Sequence, residues 1–175
     1  MIQGDDRDIF SLRRAGVLLH PTCLPAEWGV LGESARNFVD FLAASRLGIW
    51  QTLPLGPTHP DLSPYQSLSA HAGNPDLIDL TELTKSGLLN EETLARADKA
   101  SRRQLFGIAA QRFFSHKRSG GDGLDKGAYL DFQNTNQYWL DDFCLFCAIR
   151  EVLAASGWLD WPDALKNRKA DALRA

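Results

Sequence analysis

Residues 49–57 read Ile-Trp-Gln-Thr-Leu-Pro-Leu-Gly-Pro, an apolar run that ends in a cluster of proline and glycine. Such a run is typical of a short buried β-strand that stops at a loop, because proline lacks an amide donor and glycine favours turns. We therefore predict a strand over Ile49–Leu55. The loop that follows it, to about Leu80, contains little that suits ordinary core packing.

A second strand candidate lies upstream, over Val17–Leu19, and ends at His20. Between the two candidates, apolar residues recur with helical spacing from Glu33 to Leu47, and Gly48 is well placed as the cap of that helix. Strand, helix and strand in this order predict a β-α-β unit over residues 17–55, with a right-handed crossover.

The remainder of the chain is predicted to be largely helical, after a further short extended piece at Leu77–Leu80. The predicted helices are Asn90–Asp98, Arg102–Ser115, Thr135–Ser156 and Pro162 to the end. The glycine-rich run at residues 119–123 predicts a flexible break. A helical stripe of Trp139, Phe143 and Phe146 is interpreted as core, and so are Cys144 and Cys147, which have no second pair at zinc spacing.

The loop after the second strand is rich in neutral hydrogen-bonding side chains. They are Ser63, Tyr65, Gln66, Ser67, Ser69 and Asn74. Such a set suits a polyhydroxylated ligand better than an ion. Tyr65 lies between Pro64 and Gln66, where it can offer both an aromatic face and a hydroxyl group. The loop therefore predicts a sugar site.

Four short motifs in this region resemble a known family. They are His-Pro-Thr-Cys-Leu-Pro at 20–25, Trp-Gln-Thr-Leu-Pro-Leu-Gly-Pro at 50–57, Ser-Pro-Tyr-Gln-Ser at 63–67 and Ala-Gly-Asn-Pro at 72–75. In this order they are similar to the amino-terminal signature of the 4-alpha-glucanotransferases, or amylomaltases. These enzymes form a glycoside hydrolase family with a (β/α)8 barrel. A looser likeness continues to Arg168, while Cys23 stands where the family usually has serine.

The resemblance implies an α/β fold, namely the first two strands of a TIM barrel followed by a largely helical insertion. A complete barrel needs about 250 residues, and this chain has 175. We therefore expect the barrel to be incomplete in this chain. The expected parts are an amino-terminal segment (1–16), the first β-α-β unit with the substrate loop (17–82), the helical insertion (83–161), and a helix running to a truncated end (162–175).

The resemblance also implies which residues contact substrate. Tyr65, with Ser63 and Gln66 beside it, is expected to bind a sugar. His20 would lie at the carboxyl end of a strand, where barrel enzymes place functional groups; alternatively it hydrogen-bonds only the neighbouring backbone. No catalytic residue is expected here, because the family's nucleophilic aspartate and acidic glutamate belong to later strands. Adjacent carboxylates such as Asp141 and Asp142 point about 100° apart on a helix, so they cannot flank one glycosidic bond.

Composition narrows the function further. Hydrophobic residues make up 44% of the chain and charged residues 23%, which is enough for a substantial core. The net charge of −3 argues against nucleic acid. No apolar stretch reaches the roughly 18 residues of a membrane span. Three cysteines cannot all pair, which favours reduced thiols and a cytoplasmic location.

These observations predict the amino-terminal part of a retaining 4-alpha-glucanotransferase, which transfers alpha-1,4-glucan segments between maltodextrins. The expected partners are a maltodextrin or other alpha-1,4-glucan and the missing carboxyl-terminal barrel portion, and no cofactor or metal is implied. Two alternatives remain open. One is a non-catalytic glucan-binding or assembly module that pairs with a separate barrel-bearing chain. The other is an incomplete gene product without activity, favoured because residues 170–175 are helix-forming and lack a cap.

Overall fold

The structure, a computed structural model, describes residues 13–115, 126–154 and 157–174. Its first elements are strand β1 (Gly16–Leu18), helix α1 (Glu33–Ala44) and strand β2 (Ile49–Gln51). The two strands pair in parallel, with Val17 opposite Trp50. This arrangement confirms the predicted β-α-β unit, and we call β1 and β2 together the strand pair.

Both strands and α1 end earlier than predicted. The last bond of the strand pair runs from the Leu19 amide to the Gln51 carbonyl, and β2 ends there. Helix α1 ends at Ala44 instead of Leu47, and Gly48 is not its cap. Arg46 takes the left-handed conformation, with φ of 58°, and the Leu47 amide bonds the Leu42 carbonyl. That pattern is a Schellman motif with arginine in the usual place of glycine.

The segment at Leu77–Leu80, predicted as extended, is extended only at Ile78 and Asp79, between two helical turns. A 3-10 turn over Pro75–Leu77 is followed by helix α2 (Leu80–Lys85), and Ile78 between them forms an isolated parallel bridge with Leu31. Asp79 caps α2 by accepting a hydrogen bond from the Thr81 amide at 3.0 Å. An aspartate cap that satisfies an amide of the first turn favours the start of α2 at Leu80, so the extended piece is shorter than predicted.

Two more helices complete this part of the chain. Helix α3 (Glu91–Ala95) is shorter than predicted, because Asp98 accepts hydrogen bonds from Ser101 and so caps a 3-10 turn over Lys99–Ser101. Helix α4 (Arg102–Ser115) has the predicted bounds. The predicted break at 119–123 lies outside the described residues.

The core of this part is a set of buried apolar side chains that we call the helical cluster. Its members are Leu80, Leu89, Leu94, Leu105 and Ala109. Half-buried Trp28, from the segment before α1, packs against them together with neighbours such as Phe106. The helices at 80–115 therefore pack against the segment between β1 and α1.

The chain divides into two units, residues 1–124 and 125–175. The second contains helix α5 (Lys126–Val152), a 3-10 turn (Trp158–Asp160) and helix α6 (Asp163–Lys166). Helix α5 begins nine residues before the predicted start at Thr135, since residues 126–134 contain no proline to prevent it. The four-part division made from the sequence stays a prediction.

Helix α6 was predicted to run to the end of the chain, but it stops at Lys166. Arg168 takes the left-handed conformation, with φ of 53°, and the Lys169 amide bonds the Ala164 carbonyl. Helix α6 therefore ends in the same Schellman geometry as α1. Turns occupy the described residues that follow.

The aromatic stripe of α5 is only partly the core that its spacing predicts. The rings of Trp139, Phe143 and Phe146 follow one another, and Phe146 stacks on Trp161 with centroids 5.5 Å apart. Trp161 is buried, whereas no residue of α5 is. Cys144 and Cys147 are exposed, so their interpretation as core filling was wrong. Each directly follows a phenylalanine of the stripe, and successive helical residues point about 100° apart.

Candidate functional site

A cavity of about 540 Å³ opens beside the carboxyl end of the strand pair. Its walls combine apolar and polar groups. The apolar and small residues are Leu53, Pro54, Leu55, Gly56, Leu62, Pro64 and Leu77. The polar residues are His20, Thr22, Thr58, Asn74 and Asp76. This volume and mixture are typical of a small-molecule site, where apolar surface supplies contact area and a few polar groups set orientation.

His20 is held at the cavity by its own turn. It caps the 3-10 helix Pro21–Cys23, and its Nδ1 accepts a hydrogen bond from the Thr22 amide. The Thr22 hydroxyl lies 2.7 Å from the same nitrogen. Because Nδ1 is an acceptor, the neutral ring carries its proton on Nε2. That Nε2 is buried and has no hydrogen-bond partner among the residues that the structure describes, so it is available to donate to a ligand.

The loop after β2 is closed on itself by short-range hydrogen bonds. The Leu68 amide bonds the Pro57 carbonyl at 2.7 Å, and Thr58 and Ser67 form an antiparallel bridge. The Ser67 hydroxyl donates to the Ser69 carbonyl at 2.7 Å. A β-carbon added at Gly56 would lie 2.1 Å from that hydroxyl oxygen, so no larger residue fits there without displacing Ser67.

Asn74 links this loop to the opposite wall. Its amide donates to the Leu55 carbonyl at 2.8 Å, and its side-chain oxygen accepts from the Asp76 amide at 2.9 Å. The side-chain NH₂ of Asn74 can donate to a ligand. Asp76 adds a carboxylate that is 70% exposed, which can accept hydrogen bonds from hydroxyl groups. Donors and an acceptor therefore face one small volume.

The predicted site residues lie in two places. His20 lines the cavity, whereas Ser63, Tyr65 and Gln66 lie on the adjoining turn, of which Pro64 and the preceding Leu62 reach the cavity wall. The turn is closed by the Gln66 amide, which bonds the Ser63 carbonyl at 3.2 Å. Tyr65 is 74% exposed, so its ring face is accessible. The roles of these four residues stay predictions.

No group of three or more His, Cys, Asp or Glu side chains within residues 13–115, 126–154 and 157–174 is placed to hold a metal ion. Within the same residues, no helix is both long and apolar enough to cross a membrane. The side chains that line the cavity offer hydrogen bonds and apolar contact.

Residues 19–175 match the model of the family described as 4-alpha-glucanotransferase. The chain belongs to the 4-alpha-glucanotransferase family. It is 40% identical to the chloroplastic/amyloplastic 4-alpha-glucanotransferase of Arabidopsis thaliana, over 94% of this chain and 30% of that protein. It is 38% identical to the 4-alpha-glucanotransferase of Thermus thermophilus, over 93% of this chain and 34% of that protein.

A solved member of the 4-alpha-glucanotransferase family gives the same result for the fold. The amylomaltase from Streptococcus agalactiae, solved in complex with acarbose, superposes with a TM-score of 0.81 at 34% identity. The match covers 93% of this chain and 35% of the amylomaltase chain. The chain therefore spans about a third of the length of the relatives it matches.

Sequence reasoning missed two residues of this site. Asp76 follows the Ala-Gly-Asn-Pro motif directly, so a search that continued past the motif would have found it. Arg102 donates to the carbonyls of Pro75 and Ile78, on the two sides of Asp76 in the sequence. No local signal could have found Arg102, because its partners are 24 to 74 residues away in the sequence.

Proposed function

We propose that this chain forms part of the glucan-binding cleft of a 4-alpha-glucanotransferase. One observation carries the proposal, namely that all four motifs of the family signature contribute residues to one cavity. The motifs at 20–25, 50–57, 63–67 and 72–75 contribute, in that order, His20, Leu53, Pro64 and Asn74. Segments 54 residues apart in sequence would have no reason to converge on a cavity if their shared role were only to stabilise turns.

The chemistry of the cavity suits a glucose unit. A pyranose ring has apolar faces and a rim of hydroxyl groups, each of which is both donor and acceptor. The leucine and proline side chains provide surface for the faces of the sugar ring. His20 Nε2 and the side-chain NH₂ of Asn74 provide donors, and the Asp76 carboxylate provides an acceptor. The neutral majority of these groups fits an uncharged oligosaccharide better than a phosphate or a nucleotide.

We infer that the turn at 63–66 extends this surface beyond the cavity. Tyr65 is exposed, and its ring can stack on a further glucose unit of the same chain, as aromatic faces do with apolar surfaces. We propose that Ser63 and Gln66, which precede and follow Tyr65 in the sequence, add hydrogen bonds to the same ligand. The proposed ligand is therefore a maltodextrin or other alpha-1,4-glucan longer than one unit.

Transfer itself is assigned to a larger assembly. In a retaining mechanism an aspartate attacks the anomeric carbon, a glutamate protonates the leaving oxygen, and a 4-hydroxyl of another sugar then replaces the aspartate. We propose that both carboxyl groups come from a carboxyl-terminal barrel portion that completes the fold begun by β1 and β2. The exposed thiols of Cys23, Cys144 and Cys147 support a reducing, cytoplasmic setting.

The test measures binding and transfer separately. Maltoheptaose is titrated into the 175-residue chain, and disproportionation of maltotriose is assayed with and without the carboxyl-terminal portion of a homologue. We expect binding by the chain alone, no transfer alone, and transfer on reconstitution. Tyr65→Ala should lower kcat/KM of the reconstituted enzyme by the equivalent of about 1–3 kcal/mol.

Each result has a separate meaning. Absence of maltoheptaose binding, with the chain folded, would contradict the proposed cleft. Binding without any transfer on reconstitution would favour a non-catalytic glucan-binding module. Transfer by the chain alone would overturn the assignment of catalysis to another portion. His71→Ala, an exposed position that does not line the cavity, is the matched control for Tyr65→Ala.

A further inference from the structure

Arg102, the first residue of α4, is bound to three backbone carbonyl groups from two distant segments. Its guanidinium donates to the Trp28 carbonyl at 2.6 Å, to the Pro75 carbonyl at 3.0 Å and, by a shorter contact, to the Ile78 carbonyl. Its Nε lies 3.4 Å from Asp76 Oδ1, within ion-pair distance but without hydrogen-bond geometry. The ring of Phe106 lies under the guanidinium, with 5.2 Å from the central carbon to the ring centroid.

The charge of Arg102 is largely buried. The Arg102 side chain is only 15% exposed, and burial lowers the pKa of its guanidinium while Asp76 and Asp79 act in the opposite direction. Removing a charge from water is costly unless hydrogen bonds replace the lost solvation. Three carbonyl acceptors and a carboxylate provide that replacement. A leucine or methionine would fill the same space without the cost, so packing alone does not explain an arginine here.

The segments that Arg102 joins meet without spare room. The Val30 and Leu31 amides both bond the Leu77 carbonyl, at 3.1 and 2.8 Å. Gly29 has φ of 130°, and a β-carbon there would lie 2.1 Å from the Ile78 carbonyl oxygen. A shift of the 75–78 segment therefore cannot be absorbed on that side.

The same segment forms one wall of the candidate glucan site. Asn74, Asp76 and Leu77 line the cavity. The two carbonyls that Arg102 holds, at Pro75 and Ile78, flank Asp76 and Leu77 in the sequence, and Pro75 directly follows Asn74. Arg102 itself does not line that cavity. The residue thus acts on the wall from behind, through the backbone and through the Asp76 carboxylate.

We infer that Arg102 is a positioning residue for glucan binding: its fork of hydrogen bonds fixes Asn74 and Asp76 at the cavity wall. The inference rests on the proposed function, since it assigns a role within the same site. It implies that glucan affinity depends on the geometry of the Arg102 fork and not only on the stability of α4. Lysine keeps the charge but presents one ammonium group in place of a planar fork.

The experiment uses the full 175-residue chain, with maltoheptaose as the probe. Arg102→Lys and Arg102→Met are compared with Arg96→Met, a control at an arginine whose side chain is 82% exposed. We expect Arg102→Met to bind maltoheptaose roughly tenfold more weakly or worse, and Arg102→Lys to recover part of the loss. Hydrogen exchange at the amides of residues 76–78 should accelerate in both Arg102 variants and stay unchanged in Arg96→Met.

A double-mutant cycle separates positioning from stability. Asp76→Asn alone should weaken binding, and Arg102→Lys should cost less affinity in the Asp76→Asn background than in the wild-type chain. Equal costs in the two backgrounds, or unchanged affinity in a folded Arg102→Lys variant, would overturn the inference while leaving the glucan site intact. If Arg102→Met does not fold, the Arg102→Lys cycle decides alone. A folded wild-type chain that does not bind maltoheptaose would overturn both proposals.

Discussion

The strand pair and the helical cluster lie in the same unit but differ in how well they are buried. None of the six residues of β1 and β2 is buried, and Leu18 is 62% exposed. Leu80 of the helical cluster is fully buried, and Leu105 is 2% exposed. The strands that identify the fold from the sequence are therefore the less packed of the two regions.

The difference has a physical cause. A sheet of two short strands has few cross-strand contacts and two unpaired edges, and such pairs are marginal unless other elements cover them. Here α1 covers part of one face, since Phe38 packs edge-on against Trp50 with ring centroids 4.8 Å apart. The helical cluster buries its own apolar residues and needs no further strand. We infer that most of the stability of this unit comes from the helical cluster.

The largest expected effect of this difference is the loss of stability when a core side chain is shortened. Leu80→Ala should lower the free energy of unfolding by about 2–5 kcal/mol, because it leaves a cavity in the helical cluster. The matched change Leu18→Ala should stay within about 0.5 kcal/mol, since that side chain is largely in solvent. Urea denaturation of both variants checks the contrast, and equal losses would break it.

The same pair of variants tests the proposed barrel. If a carboxyl-terminal portion supplies the missing neighbours of β1 and β2, Leu18 becomes buried when that portion is added. Leu18→Ala should then become more destabilising in the reconstituted protein than in the chain alone, whereas the cost of Leu80→Ala should not change. If the cost of Leu18→Ala is the same with and without the carboxyl-terminal portion, that portion does not pack against Leu18.

The sequence predicts the bounds of helix α4 better than it predicts the ends of the strand pair and of α1. Helix α4 was predicted with the bounds that the structure gives, because residues 102–115 contain no proline and several strong helix formers. The end of β2 was misplaced because a strand ends where its partner ends, which is a tertiary fact: Leu19 makes the last bond and Pro21 then begins a turn. Arg46 in the left-handed conformation could not be foreseen, since glycine stood two residues away as the more usual cap.

The site shows the same limit. His20 could be placed at the cavity from sequence, because a residue directly after a parallel strand lies at its carboxyl end. The spacing of Ser63, Tyr65 and Gln66 shows that they share a turn, but not how that turn faces a ligand. The role of Arg102 depends on hydrogen-bond partners that lie 24 to 74 residues away in the sequence.

A smaller effect is expected at Asp79, which caps α2 of the helical cluster. It is a buried carboxylate, 8% exposed, and its Oδ1 accepts from both the amide and the hydroxyl of Thr81. Asp79→Ala should cost about 0.5–2 kcal/mol, the usual value of a helix N-cap, with α2 fraying first. Asp79→Asn keeps a capping oxygen and should lose less. Thermal unfolding compares the two, and identical losses would show that the charge matters and the cap does not.

The smallest effect concerns the ion pair that joins α1, which covers the strand pair, to α2 of the helical cluster. Arg36 donates to Glu82 at 2.6 Å, and Lys85 donates to the same oxygen at 2.9 Å. The hydrogen bond from Arg36, followed by that from Lys85, lowers the pKa of Glu82 from 4.5 to about 2. Because the folded pKa lies below the unfolded one, the stabilisation is complete above the unfolded pKa and is lost as the pH falls through the folded pKa.

We therefore expect the urea midpoint of the wild-type chain to exceed that of Glu82→Gln by a small margin at about pH 6, and the margin to shrink as the pH falls below about 4.5. The margin should also shrink in high salt, since both partners are partly exposed. Glu92→Gln is the control, because Glu92 lies 3.9 Å from Arg96 within one surface helix turn and joins no two regions. A margin for Glu82→Gln that grows toward low pH, or that equals the Glu92→Gln margin throughout, would mean that the strand pair and the helical cluster are held together by packing alone.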